Sequence, residues 1–142
     1  MRKTYLALVR GRVERDRGEI SARLGRHPKQ RKKIAADVKG GREAMTEYEV
    51  DRRFTGATLV RCHPKTGRTH QIRVHLATLG HAIIGDRVYS RKQTIEAPRQ
   101  MLHAHRLAFT HPRSGKWLVF TAPMPDDMAR LVKALERQER KA

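Results

Sequence analysis

Two stretches of the chain alternate along their length with period two, and each is followed across a short turn by a second strand-like run, a pattern that predicts an antiparallel sheet. In the first, Tyr48, Val50 and Arg52 fall on one face and Glu47, Glu49 and Asp51 on the other, Thr55-Gly56 turns the chain, and Ala57 to His63 returns. In the second, Leu102 to Phe109 alternates, Pro112-Arg113-Ser114-Gly115 turns, and Trp117 to Thr121 returns. A further apolar run, Thr4 to Val9, reads as a buried strand that begins almost at the first residue.

Helical spacing appears twice. Ile72, Leu76 and Leu79 recur at helical intervals behind Thr69, which can cap a helix, and Gly80 stops it. Met128, Leu131, Val132 and Leu135 repeat the pattern behind Asp126, an N-cap residue preceded by two prolines. A loop is expected from Gly85 to Pro98. The order strand, arm, hairpin, helix, hairpin, helix predicts an α+β fold, mainly an antiparallel or mixed sheet with a few helices. At 142 residues one domain, 1–142, is expected, with a basic exposed arm at about residues 11–42.

Charge limits the partners. Lys and Arg number 32 against 14 Asp and Glu, a formal charge of +18 that calls for a polyanion. In the arm, Arg26, Lys29, Arg31, Lys32 and Lys33 cluster; they read equally as a solvated loop or as an element that contacts phosphates. The Leu6–Val9 run is too short for a signal peptide or a membrane span, so a cytoplasmic location and no membrane partner are expected. Cys62 is the single cysteine, which leaves no internal disulfide and no cysteine-based zinc set.

Chemistry concentrates between His63 and Gly85, where four histidines, Arg68 and Arg73 surround one short helix. Arg73 lies beside the apolar stripe, either as an edge-of-core residue with a role or as a surface arginine stacked on its neighbours. His70 and His75 are five residues apart and point in different directions, so a zinc site is not expected. His103 and His105 share a strand face, bonded at the core edge or offered to RNA. Asp86 follows Gly85 in a turn, where an Asx hydrogen bond is its plain role. Among the acidic residues none reads as a nucleophile, and neither a G-x-S-x-G setting nor a phosphate-binding glycine loop is present.

The run Thr66-Gly67-Arg68-Thr69-His70-Gln71-Ile72-Arg73-Val74-His75, followed by Gly80-His81 and Gly85-Asp86, resembles the signature of the RluA-type RNA pseudouridine synthases. The resemblance extends through Lys3-Thr4-Tyr5 with Gly11, Gly41-Arg42-Glu43-Ala44, Tyr48, Arg99 to Ala104 and His111 to Gly115, essentially the whole chain. It implies isomerisation of uridine in ribosomal or transfer RNA without cofactor or metal, on a fold like the C-terminal half of that family's catalytic domain. It also implies that Arg73 pairs with and positions a catalytic aspartate, and that Tyr5 stacks on the base and accepts a proton. Leu107, His70 and Gln71 would line the pocket, with Arg68 joining the arm cations on RNA. The family's aspartate lies in a His-Arg-Leu-Asp segment upstream of Lys-x-Tyr, and this chain starts at Met1, just before Lys3-Thr4-Tyr5.

A fragment of a pseudouridine synthase is therefore expected, inactive alone and needing the missing N-terminal half as a partner. With half the domain gone, the first strand should lose its sheet partners and leave an exposed edge and an apolar patch. The alternatives are a catalytically silent basic RNA-binding module and, more weakly, a generic basic ribosome-associated protein.

Overall fold

The computed structural model describes residues 1–90 and 95–141, so part of the loop expected from Gly85 to Pro98 lies outside the described residues. Among the described residues, eight strands and two helices follow one another as β1 (Arg2–Arg10), β2 (Arg17–Ser21), β3 (Leu24–Arg26), β4 (Ile34–Ala36), β5 (Met45–Phe54), β6 (Ala57–Pro64), α1 (Gln71–Thr78), β7 (Leu102–Thr110), β8 (Trp117–Thr121) and α2 (Asp126–Lys141). Six strands form one sheet in the order β2-β5-β6-β1-β7-β8, and β3 pairs with β4 separately. Every one of these pairs is antiparallel.

β1 is central, with β6 on one side and β7 on the other. The expectation that it would lose its partners is corrected: its continuous apolar run Leu6-Ala7-Leu8-Val9 is at most 3% exposed because both sheet faces there are covered. Exposure falls instead on the edge strand β8, whose Trp117, Val119 and Phe120 face solvent. Nor is the segment between residues 11 and 42 exposed throughout. Val13, Ile20 and Leu24 are buried in it, and β2 extends the main sheet.

Two bulges re-aim side chains. Lys3 opposes Leu107 and Thr4 opposes Arg106, but Tyr5 opposes Ala104, so His105 is the extra residue on β7, just where Tyr5 leaves β1. On β5 the register slips between Val50 and Arg52, with Asp51 unpaired. Arg52 consequently does not continue the buried face of Tyr48; it lies over the Phe54 ring and reaches Glu136 of α2 at 2.6 Å. Met128, Val132 and Leu135 of α2 are buried in the main core, as their spacing predicts.

α1 departs from its predicted outline. Thr69 does not cap it; the preceding residue is His70, in the left-handed region at φ 54° and without a side-chain cap bond. Leu79 is exposed, while Val74 and His75 are buried. The eight-residue helix packs against more than one neighbour, so burial is not confined to one stripe.

Past α1 the chain turns at Gly85, φ +83°, where an added Cβ would be driven into the carbonyl oxygen of Arg99. Gly85→Ala should therefore lower stability by about 2–4 kcal/mol. Gly80→Ala, also at positive φ but facing open space, should lose only about 1 kcal/mol. Urea unfolding of both variants checks the pair, and equal midpoints would contradict the close approach at Gly85.

Candidate active site

The site is built on Arg73, which α1 presents with its side chain 12% exposed. Its Nε donates to Asp86 Oδ2 at 2.9 Å and its Nη2 to Asp86 Oδ1 at 3.0 Å, a bidentate fork. The Asp86 carboxylate is fully buried and also accepts the backbone N–H groups of Val88 and Tyr89 at 3.0 and 3.2 Å. The Asx role expected for Asp86 is real, but it is half of the arrangement. This chain thus supplies Arg73 with a carboxylate of its own. Burial works to raise the Asp86 pKa, yet the Arg73 hydrogen bonds, the Tyr89 N–H, the Arg73 charge and the Val88 N–H together hold it below the ordinary carboxylate value. Nη1 of Arg73 has no hydrogen-bond partner among the described residues.

Tyr89 closes the site from behind. Its ring centroid is 5.0 Å from the Arg73 guanidinium carbon, and its hydroxyl meets His70 Nδ1 at 2.6 Å. That hydroxyl also accepts the Ile34 N–H at 3.0 Å, so it joins His70 to the backbone at Ile34. Burial and the nearby Arg73 lower the His70 pKa, against an opposing pull from Asp86.

Gln71 is a brace. It is 4% exposed; its amide nitrogen donates to Met45 O and Thr46 Oγ1, and its oxygen accepts from Thr66 Oγ1 and Arg68 N–H. All four of its hydrogen-bonding positions are used within the protein. It therefore borders the cleft without a position left for a ligand, and Arg68 is fixed beside it by Nε donating to Glu43 O. The neighbouring His75 is also structural: Nε2 donates to Ala22 O and Nδ1 accepts from Thr46 Oγ1. Burial lowers its pKa, outweighing its bond to Ala22 and the charge of Asp37.

Arg73, His70, Gln71 and Arg68 border a cleft of about 440 Å³ that also takes in Lys3, Tyr5 and Leu102. Tyr5, His70, Gln71, Arg68 and Arg73 are thus brought together in one cleft. No carboxylate lines this cleft among the described residues, so it offers cations and an aromatic ring without a nucleophilic acid. Leu107 lies elsewhere, in an adjoining cleft of about 300 Å³ that shares Lys3 and Tyr5 and is walled by Phe120. Arg26, Lys29, Arg31 and Lys32 are exposed around the β3–β4 hairpin, and Lys33 leans over the Tyr89 ring at 5.8 Å.

Other candidates are structural. His103 Nε2 and His105 Nδ1 both donate to Ala122 O, at 3.0 and 2.8 Å. Burial pushes the Cys62 thiol up to about 12, so it carries no thiolate at neutral pH. Among the described residues no three His, Cys, Asp or Glu side chains form a metal-holding group.

The titrations of the site have one sign. His70, His75 and Asp86 all have depressed folded values, so each binds a proton more readily in the unfolded chain. Their contributions are complete above the ordinary values and fade as pH falls below them, the histidines under 6.5 and Asp86 under 3.8. The urea midpoint should hold steady between about pH 7 and pH 8, decline toward about pH 4, and fall again above about pH 9, where the unfolded chain ionises Cys62 and the folded chain does not. An unchanged midpoint between about pH 7 and about pH 4 would contradict the neutral histidines.

A family described as RNA pseudouridylate synthase matches residues 1–78 of the chain. A ribosomal large subunit pseudouridine synthase D from Nitrosomonas europaea is 46% identical over 143 residues, covering 95% of the chain and 41% of that protein. An RNA pseudouridine synthase of Bacillus subtilis, YlyB, is 42% identical over 135 residues, covering 95% of the chain and 44% of that protein. The chain thus spans less than half the length of these relatives. Among solved structures, human RNA Pseudouridylate Synthase Domain Containing 1 matches with a TM-score of 0.72 at 28% identity, over 95% of the chain and 65% of that structure. Human RNA Pseudouridylate Synthase Domain Containing 4 shares the fold with a TM-score of 0.78 at 20% identity, over 95% and 62%.

Proposed function

Because this chain belongs to the RNA pseudouridylate synthase family, we propose that it is the part of an RNA pseudouridine synthase that seats the target uridine and sets the catalytic arginine. The observation that carries the reading is Arg73: gripped on one edge by Asp86, with Nη1 unpartnered among the described residues, in a cleft that also holds Tyr5. In the proposed reaction the bond from the ribose to N1 of uracil breaks, the base turns, C5 bonds to the ribose, the proton leaves C5, and N1 takes up a proton, so that the product is an isomer of uridine. Tyr5 stacks on the extruded base and takes the C5 proton. Arg73 turns its remaining donors to an aspartate supplied from outside these 142 residues. Asp86 is not that acid, because its oxygens already hold Arg73 and two backbone N–H groups and it does not line the cleft.

The relatives named for the ribosomal large subunit support ribosomal RNA as the substrate, with transfer RNA as the other class. A cytoplasmic location belongs to the same proposal, since the reaction acts on RNA. The second reading, an RNA-binding module silent by itself, is favoured for the isolated chain by the absence of a carboxylate from the described cleft lining.

Both readings require RNA to bind the basic surface. Each phosphate neutralised releases counterions, so affinity for a structured RNA should fall about 10²–10⁴-fold between roughly 50 and 200 mM salt. Fluorescence titration at several salt concentrations tests this. A salt-insensitive affinity, or no binding at low salt, would contradict it.

A further inference from the structure

We infer that Tyr89 is a positioning residue that couples occupation of the β3–β4 hairpin by an RNA phosphate backbone to the setting of Arg73. The inference rests on the proposed reading of the cleft as the uridine site and adds to it a relay from the basic hairpin.

The relay is visible in the contacts of one side chain. On the hairpin side, Tyr89 Oη accepts the Ile34 N–H at 3.0 Å, and the Lys33 ammonium stands 5.8 Å from the ring centroid. On the cleft side, Oη shares a hydrogen bond of 2.6 Å with His70 Nδ1, and the Arg73 guanidinium carbon stands 5.0 Å from the same centroid. Its backbone N–H donates to Asp86 Oδ1, the oxygen that also receives Arg73 Nη2. The two hydroxyl bonds pin the ring between hairpin and helix, so neither side can shift without the other.

The direction of the coupling follows from charge. Lys33 and Arg73 are two cations drawing on one ring's negative π density, and they repel each other. A phosphate that takes Lys33 off the ring removes both the competitor and the repulsion. Arg73 is then held more firmly on Tyr89 and Asp86. RNA on the hairpin thus steadies the arginine before a uridine enters the cleft.

The test uses the full 142-residue chain, labelled with ¹⁵N, and as probe an RNA duplex of guanosine and cytidine only, so that no uridine enters the cleft. The readout is exchange of the Arg73 Nε–H with solvent. Saturation with the duplex should slow this exchange about threefold, the scale of a weak cation–π contact. Lys33→Gln should show the slow exchange without RNA and no further slowing with it, because the competing cation is already gone. Tyr89→Leu should exchange quickly in both states. If the duplex binds and Arg73 exchange in the wild-type chain does not change, or if Lys33→Gln responds as fully as wild type, the coupling is overturned while RNA binding stands. Failure of the duplex to bind at low salt overturns the RNA reading and the coupling together.

Discussion

Asp86→Ala is expected to lower folding stability by about 3–5 kcal/mol, enough to unfold much of the population of a marginally stable domain. The carboxylate is fully buried and the Arg73 side chain is 12% exposed, and the guanidinium has no second anion among the described residues. Removing the acid leaves a charge in a low-dielectric site with two donors unpaired, and it also frees the Val88 and Tyr89 N–H groups. Asp86→Asn should be less severe, since the amide oxygen keeps one acceptor and the shape is retained. Arg73→Lys should fall between wild type and alanine, because an ammonium cannot reproduce the planar fork. Urea midpoints at neutral pH rank the series. A wild-type midpoint for Asp86→Ala would show that the pair contributes nothing to the fold.

On the proposed reading the second large effect is on catalysis, in a synthase that also supplies the aspartate. Tyr5→Phe keeps a ring to stack on the base but removes the proton acceptor, so pseudouridine formation should slow by about 10²–10⁴-fold. Arg73→Ala should slow it at least as much, because the incoming aspartate loses the cation that keeps it ionised and oriented. The two losses should differ in kind. Tyr5→Phe should act on the chemical step with RNA affinity unchanged, whereas Arg73→Ala should also lower stability, since Asp86 is left unpaired. Rates from single-turnover release of a C5 tritium label, paired with RNA titrations, separate them. Full activity of Tyr5→Phe would remove Tyr5 from the mechanism.

Much of this architecture is legible from local pattern, and the departures have physical causes. The alternating runs mark β5 and β7, and the turn at Gly56 is confirmed by its positive φ of 75°. Alternation cannot register a bulge, so it puts Arg52 with Tyr48 although Asp51 breaks the register. The stripe through Ile72 and Leu76 finds α1, but a helix of eight residues packed against several neighbours also buries Val74 and His75. Arg73 and Asp86 are thirteen residues apart, beyond the reach of helical spacing, and only the chain reversal at Gly85 brings them together. The one local hint is an aspartate beside a glycine directly after the buried run Ala82-Ile83-Ile84. Tyr89 carried no signal of its own, because its partners Ile34, His70 and Arg73 come from three separate parts of the chain. Gln71 was recognised with the motif, yet its role as a brace depends on four partners that only the folded chain assembles.

On the proposed reading this chain contributes a seated arginine and a stacking tyrosine to uridine isomerisation, and the acid is not among its described cleft residues. The direct measurement is tritium release from C5-labelled uridine in ribosomal RNA by two proteins: the chain alone, and a chimera in which it replaces the matching portion of the Nitrosomonas europaea relative. The chain alone should release no tritium, and the chimera should release it unless Arg73 is replaced by alanine. Release by the chain alone, or a folded, RNA-binding chimera that never forms pseudouridine, would contradict this reading.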